Sequence, residues 1–335
     1  MPTRRVFMEA ASGAVLAALA TRTAGAAARS EAGRGTASSA DVAGVAGASS
    51  GVRSYCFFSK HLPDLNWTDL AAATIDMGFD GIDLTVRAKG HVAPERVAED
   101  LPRALDAIRA KGTSVAMITT ELTSASHPTA SAIFTAAGKA GIKLAKVGYW
   151  KYALKDVRAE VAAMGRDLEG LATLAKSHGV TIGIHNHQGN LGASVWDIAP
   201  QVDKLDAQAI GYYFDPRHAL MEGGGVVWKT ATLLALPRMK MISVKDAFWE
   251  KGPKGWASQH CPMGEGMVDW PWFASTIVNS PFAGPISVHV EYKIDGATPE
   301  ELRRNMMTAA KRDLEFTKRA FASVAKGDGK SEAAE

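Results

Sequence analysis

Four short segments of this 335-residue chain end in residue types that hold metals or move protons. Residues 182–189 read Ile-Gly-Ile-His-Asn-His-Gln-Gly and residues 214–218 read Phe-Asp-Pro-Arg-His. Residues 243–246 read Ser-Val-Lys-Asp, and residues 288–292 read Val-His-Val-Glu-Tyr. Each begins as an apolar run of strand-like composition and closes on His, Asp, Lys or Glu. One such ending would carry no weight, but four in succession point to a shared site. Side chains alternate across a strand, so the apolar partners decide which way the polar ones face. Ile286, Val288 and Val290 claim the face toward the helices, which turns Ser287, His289 and Glu291 inward. The same count turns His185 inward with Gly183, Asp215 with Tyr213 and Lys245 with Ser243, and sends Asp246 outward.

Glu291, His185 and Lys245 are the candidate catalytic groups, residue types that move protons. A buried carboxylate such as Glu291 is costly unless paired or bound to a cation. An ion pair with Lys245 is the structural alternative for it, and a helix cap is the structural alternative for Asp215. Lys245 can serve as a base of lowered pKa or as a cation beside an enolate oxygen. His187 is expected to contact substrate. Glu121, after the third apolar run, and Trp150, after the fourth, are expected to line the pocket as an acid and an aromatic face. His289 is expected one layer below Glu291 as a hydrogen-bonding support, and His260 and Cys261 in a loop at the rim.

Eight apolar runs occupy residues 54–58, 81–86, 114–119, 143–148, 180–185, 210–214, 239–244 and 285–291. Helix-like segments follow at 67–77, 94–110, 130–140, 157–177, weakly at 193–205, and at 227–236, 271–280 and 299–322. Gly81, Gly112, Gly141 and Gly179 fall where helices stop, as C-terminal caps do. Strands alternating with helices, with no two strands in succession, predict a parallel sheet. Eight such units over residues 52–324 match a (β/α)8 TIM barrel, whose usual length is about 250 residues. The first strand is not followed by a Gly-rich dinucleotide loop, which argues against an open doubly wound sheet. In a barrel the carboxyl ends of the strands carry the active site, where the four segments end.

On these residues the chain resembles the sugar phosphate isomerase/epimerase superfamily of xylose isomerase-like TIM barrels, with inosose dehydratases and ketose 3-epimerases among its relatives. The resemblance runs from about residue 53 to 322 and is carried by residues 182–189, 214–219, 243–246, 261–270 and 284–292. The segment Gly264-Glu265-Gly266-Met267-Val268-Asp269 is its most typical piece. The resemblance implies one divalent metal ion (Mn, Co, Fe, Mg or Zn) held by Glu, Asp, His and Glu from strands five to eight. Asp215 and Glu291 match that set residue by residue. His185 stands for the first Glu, and Ser243 stands where the family has His. The implied ligands here are therefore His185, Asp215 and Glu291, and the resemblance implies that His218 contacts substrate. A chelated carbonyl and hydroxyl would acidify the intervening C–H. The implied reaction is isomerisation or epimerisation of a keto-sugar or sugar derivative. A lyase or dehydratase acting on 3-keto-glycosides or inososes is the alternative, and a non-catalytic carbohydrate-binding barrel the second alternative.

Composition narrows the rest. Apolar residues make up 47% and charged residues 22%, which fits a globular enzyme and excludes coiled-coil or broadly disordered chains. The net charge is +3, part of it in the first fifty residues, so the body is near neutral. It lacks the basic face that nucleic-acid binding requires, which sets aside the barrel endonucleases. Two cysteines, Cys56 and Cys261, form no disulfide scaffold, although one bridge is open. Residues 1–28 read as a twin-arginine signal peptide: Thr3-Arg4-Arg5-Val6-Phe7-Met8, a short apolar stretch, then small residues near Ala24-Gly25-Ala26. That stretch is too short for a membrane span. Residues 29–51 read as a flexible Ala/Gly/Ser linker and 325–335 as a disordered tail. The expected location is periplasmic or extracytoplasmic, with the twin-arginine export machinery as a partner and a small carbohydrate as substrate.

Overall fold

A computed structural model of the protein describes residues 53–325. The expected leader at 1–28, the linker at 29–51 and the tail from 326 onward lie outside the described residues. Eight parallel strands close into a barrel: β1 (Tyr55–Phe58), β2 (Gly81–Thr85), β3 (Ser114–Thr119), β4 (Leu144–Lys146), β5 (Thr181–His185), β6 (Ile210–Phe214), β7 (Met239–Val244) and β10 (Ile286–Val288). Their order around the barrel is β1-β10-β7-β6-β5-β4-β3-β2. Strands β10 and β4 are therefore diametrically opposed, as are β2 and β6. The surrounding helices are α1 (Trp67–Asp76), α2 (Val97–Ala110), α3 (Ala130–Lys139), α4 (Val157–Ser177), α5 (Ala199–Val202), α6 (Pro216–Gly223), α7 (Val227–Ala235), α8 (Trp270–Val278) and α9 (Pro299–Ala325). Among the described residues no helix is long and apolar enough to cross a membrane.

Local chemistry fixes where these elements begin. Asn66, Asp156 and Asp269 cap α1, α4 and α8 by accepting from backbone N–H groups two or three residues into each helix. Large apolar side chains such as Leu70, Leu101, Phe134 and Phe273 fill the layer between strands and helices and are fully buried. Each contributes roughly 1.5–3 kcal/mol by leaving water. The space inside the barrel is different. Its floor is a small apolar layer of Met117, Tyr213 and Met241, and above that the interior is polar.

The structure departs from several of these expectations. Two strands do follow one another: β8 (Asp246–Gly252) and β9 (Gly255–Cys261) form an antiparallel hairpin directly after β7. It is closed by the turn around Pro253 and Lys254, so His260 and Cys261 lie on a strand, not in a rim loop. Helix α6 was not expected at all, and the weak helix at 193–205 shrinks to the single turn α5. Gly81 is no helix cap. It opens β2, and the glycine that turns the chain out of α1 is Gly78, at φ +87°. Both cysteines are buried and free.

The Gly-rich segment has a packing role. Asp246 points outward from the barrel and accepts from Gly264 N (3.0 Å), Val268 N (3.3 Å) and Trp270 Nε1 (2.7 Å). A Cβ at residue 266 would lie 2.1 Å from Asp246 Oδ1. At residue 264, where φ is +87°, it would lie 2.2 Å from Phe316 Cε2. A side chain at 266 would displace the Asp246 carboxylate, and one at 264 would displace the Phe316 ring.

Candidate active site

The carboxyl ends of the strands surround a cavity of about 110 Å³. Of the residues expected at the site, Glu291, His185, Lys245 and His187 line it. Asp215 and His218 sit directly behind its wall, both essentially inaccessible to solvent. Two residues expected on the wall are not there. The Trp150 indole N–H donates to Asp167 at 3.0 Å, and Glu121 is solvated, with only Arg87 at 4.0 Å. One position earlier in the chain, Tyr149 supplies the aromatic face instead. Past the short strand β4 the inward-facing position falls on the odd-numbered residue.

Asp215 divides its two oxygens between fold and site. Oδ1 accepts from His218 N at 2.9 Å and so caps α6. Oδ2 receives the Ser243 hydroxyl at 2.5 Å and the Lys245 ammonium at 3.1 Å, with His185 Nε2 at 3.2 Å. Burial alone would raise this carboxyl, but Lys245, His218 and His185 outweigh it and hold Asp215 well below the usual carboxylate range. Ser243 thus fills by hydrogen bonding the place where the family pattern has a metal-binding His. Burial likewise drives His185 down to about 3, so its ring is neutral. Its Nε2–H faces Asp215, and Nδ1 accepts from the Tyr149 hydroxyl at 3.0 Å. With both nitrogens hydrogen-bonded neither is a free base, and holding a cation at Nε2 would displace its proton.

Among the described residues, the donor set that could hold a cation is His185, Asp215 and His218, whose ligand atoms all lie within 4.8 Å of one another. His218 Nε2 is buried without a hydrogen-bond partner, 3.8 Å from Asp215 Oδ2, and this is the atom a metal would satisfy. Two imidazoles and a carboxylate suit Mn, Fe, Co or Zn. The group differs from the expected ligands in one member. Glu291 is held at the cavity by Lys60, at 2.9 Å and 3.0 Å, and His218 takes its place in the cluster. Burial raises Glu291, but Lys245 and Lys60 outweigh that and lower it to about 2.

Three cations on the wall were not expected: Lys60, Arg87 and Lys146. Each follows or ends one of the strands β1, β2 and β4, so applying the strand-end rule to the first half of the barrel would have found them. Lys146 is fully buried with its ammonium 3.5 Å from the centre of the Tyr149 ring. Burial, with Arg87 next, lowers it to about 7.

Below the cavity lies a second buried carboxylate. Asp83 of β2 accepts from the hydroxyls of Thr119 (2.7 Å), Ser287 (2.9 Å) and Tyr213 (3.0 Å). The Tyr213 contact spans the barrel from β6 to β2. Burial pushes Asp83 up to about 6, against the pull of these three hydroxyls.

Comparisons with known proteins agree with this architecture. A family model for the xylose isomerase-like TIM barrel matches residues 70–320. No curated protein matches the chain. Among solved structures, the chain is similar to D-psicose 3-epimerase from Clostridium cellulolyticum H10, with TM-score 0.61 and 10% identity over 80% of this chain and 99% of that one. It is similar to a xylose isomerase-like TIM barrel protein from Mycobacterium smegmatis solved with magnesium, with TM-score 0.58 and 13% identity over 82% and 98%. A 3-keto-D-glucoside 4-epimerase from E. coli gives TM-score 0.58 and 12% identity over 80% and 99%. With a closed eight-stranded parallel barrel and a family match over three quarters of its length, the chain belongs to the xylose isomerase-like TIM barrel family.

Proposed function

We propose that the protein is a sugar epimerase or isomerase that removes and returns a proton beside the carbonyl of a ketose or keto-glycoside. The observation that carries this reading is one carboxylate and one buried amine facing a shared cavity from opposed staves, Glu291 after β10 and Lys146 at the end of β4. Glu291 is ionised at neutral pH and accepts the proton. Lys146, near half-protonation at about pH 7, carries one on the other side, as inversion at a carbon requires. Lys60, Arg87 and Lys245 face the charge that develops on the carbonyl oxygen. A divalent ion, where bound, would be held by His185, Asp215 and His218 and would polarise that carbonyl and an adjacent hydroxyl. Lys245, paired with Asp215 at 3.1 Å, would compete with such an ion for that carboxylate. The epimerases among the structural neighbours support the reading at the level of reaction class. The Arg4-Arg5 leader supports export to an extracytoplasmic compartment, which cell fractionation tests.

Incubation with D-psicose, L-ribulose and 3-keto-glucosides in D2O is the test. Epimerisation places one deuterium next to the carbonyl, whereas elimination gives a product lacking a substituent and redirects the reading to a lyase. E291Q should lower turnover at least a hundredfold with an unchanged melting temperature. Near-normal turnover removes Glu291 from the reaction, and absence of exchange with every ketose removes the function.

A further inference from the structure

The polar groups inside the barrel form a chain whose proton positions can be assigned. Asp83, ionised at neutral pH, can only accept, so the Tyr213 hydroxyl spends its one proton on Asp83. His289 Nε2 lies 3.0 Å from the same Tyr213 oxygen. Because that oxygen has no second proton to give, Nε2 must be the donor there. Burial holds the His289 ring neutral, well below the ordinary imidazole range, so Nδ1 bears a lone pair. That lone pair is buried without any donor, and the nearest carboxylate oxygen is Glu291 Oε1 at 3.9 Å. Stacking on Phe58, with ring centres 4.3 Å apart and planes within 22°, keeps the imidazole in this plane. The other charged and titratable groups acting on it are Lys245, His185, His61 and Asp215.

Two acceptors thus face each other with no proton between them. We propose that His289 is a positioning residue for Glu291: it accepts a hydrogen bond from Glu291 once that carboxylate has taken the substrate's proton, and Tyr213 and Asp83 hold it in the Nε2–H form that makes this possible. The inference rests on Glu291 acting as the base. In the forward step the C–H bond breaks, its electron pair moves onto the carbonyl oxygen, and the proton bonds to Oε1. A small rotation of the Glu291 side chain closes the gap so that Oε1–H donates to Nδ1. In the return step a Lys146 N–H bond breaks and its proton bonds to the opposite face of the carbon as the electron pair comes back from the oxygen; Glu291 then releases its proton to water and Lys146 regains one. No oxidant or further reactant is needed.

Two-bond 1H–15N correlation spectra of the full chain labelled at histidine nitrogen read this without turnover. In the wild type His289 should show a protonated Nε2 and a bare Nδ1, and a protonated Nδ1 overturns the proposal. E291Q replaces an acceptor by an amide donor and imitates the protonated carboxyl, so the Nδ1 resonance should move toward the hydrogen-bonded range. An unmoved resonance also overturns it. Y213F should give a mixture of tautomers. For a ketose found to turn over, Y213F and H289L should lower kcat about tenfold with KM unchanged, and H289N, which restores an acceptor near the Nδ1 position, should recover most of it. A melting temperature that falls while kcat holds would mean a purely structural role. If no ketose turns over but the spectra behave as stated, the proposed function fails and the proton assignment stands.

Discussion

Asp215 and Asp83 are both fully buried inside one barrel, yet their surroundings push them in opposite directions. Asp215 meets an ammonium and two imidazoles and is held far below the ordinary range. Asp83 meets three neutral hydroxyls and is raised to about 6. Hydroxyl donors only partly offset the cost of burying a carboxylate and leave it easier to protonate than usual, whereas a formal counter-charge makes it harder to protonate than usual. The mouth of the barrel is therefore an electrostatic assembly, and the layer beneath it is a hydrogen-bonding one.

The contrast is tested most strongly at Asp215. D215A strands the Lys245 ammonium in the interior and removes the cap of α6, so it should cost roughly 4 kcal/mol of stability in urea titration. D215A/K245M should regain much of that loss, and a double variant no better than the single one would mean that the ion pair is not the main term. Lys146 is the next test. If it served Asp83 as Lys245 serves Asp215, K146M would destabilise. Because burial depresses Lys146 to about 7, K146M should instead stabilise by roughly 3 kcal/mol near pH 7. The benefit should be full below pH 7 and shrink as the pH climbs from 7 toward 10.5, because the folded wild type sheds the proton first, vanishing only where the unfolded chain loses it too.

The two aspartates should also differ in how stability follows pH. A folded pKa raised from 3.8 to about 6 favours the protonated native state. The Asp83 contribution is thus full below pH 3.8 and lost as pH rises through 6, a decline of up to about 2–3 kcal/mol that D83N should abolish. Asp215, being depressed, contributes above pH 3.8 and loses that contribution on acidification. Equal slopes in wild type and D83N between pH 4 and 6 would refute the assignment. The smallest expected effect concerns metal. Since Lys245 and a divalent ion would share Asp215 Oδ2, K245M should tighten Mn2+ binding about tenfold, or about 1.4 kcal/mol, measured by calorimetry. Unchanged affinity would mean that they do not compete.

Much of this was legible before any coordinates. The strands at 114–119, 210–214 and 239–244 and the helix at 157–177 are reproduced to the residue, because period-two apolar runs and a long amphipathic stretch leave little choice. The same alternation places Asp246 outward and Lys245 inward. It fails where a strand is short: β4 ends at Lys146, two residues before the expected end, and the aromatic on the wall is Tyr149, not Trp150. The β8–β9 hairpin was missed because its apolar content is low and its outer half is exposed, although a Pro-Lys turn between two tryptophans was there to be read. The partners of Asp215 were not legible, since the geometry that lets Ser243 and Lys245 converge on one oxygen depends on the register between neighbouring strands, which one strand's pattern does not contain.

The collar of backbone N–H groups around Asp246 bears on how this barrel could be re-engineered. It holds the base of the hairpin through main-chain contacts and two positions that exclude any side chain, and none of its members lines the cavity. A library aimed at new substrates should leave residues 246, 264 and 266 alone and place its diversity at 149 and 187, cavity-lining positions outside that collar.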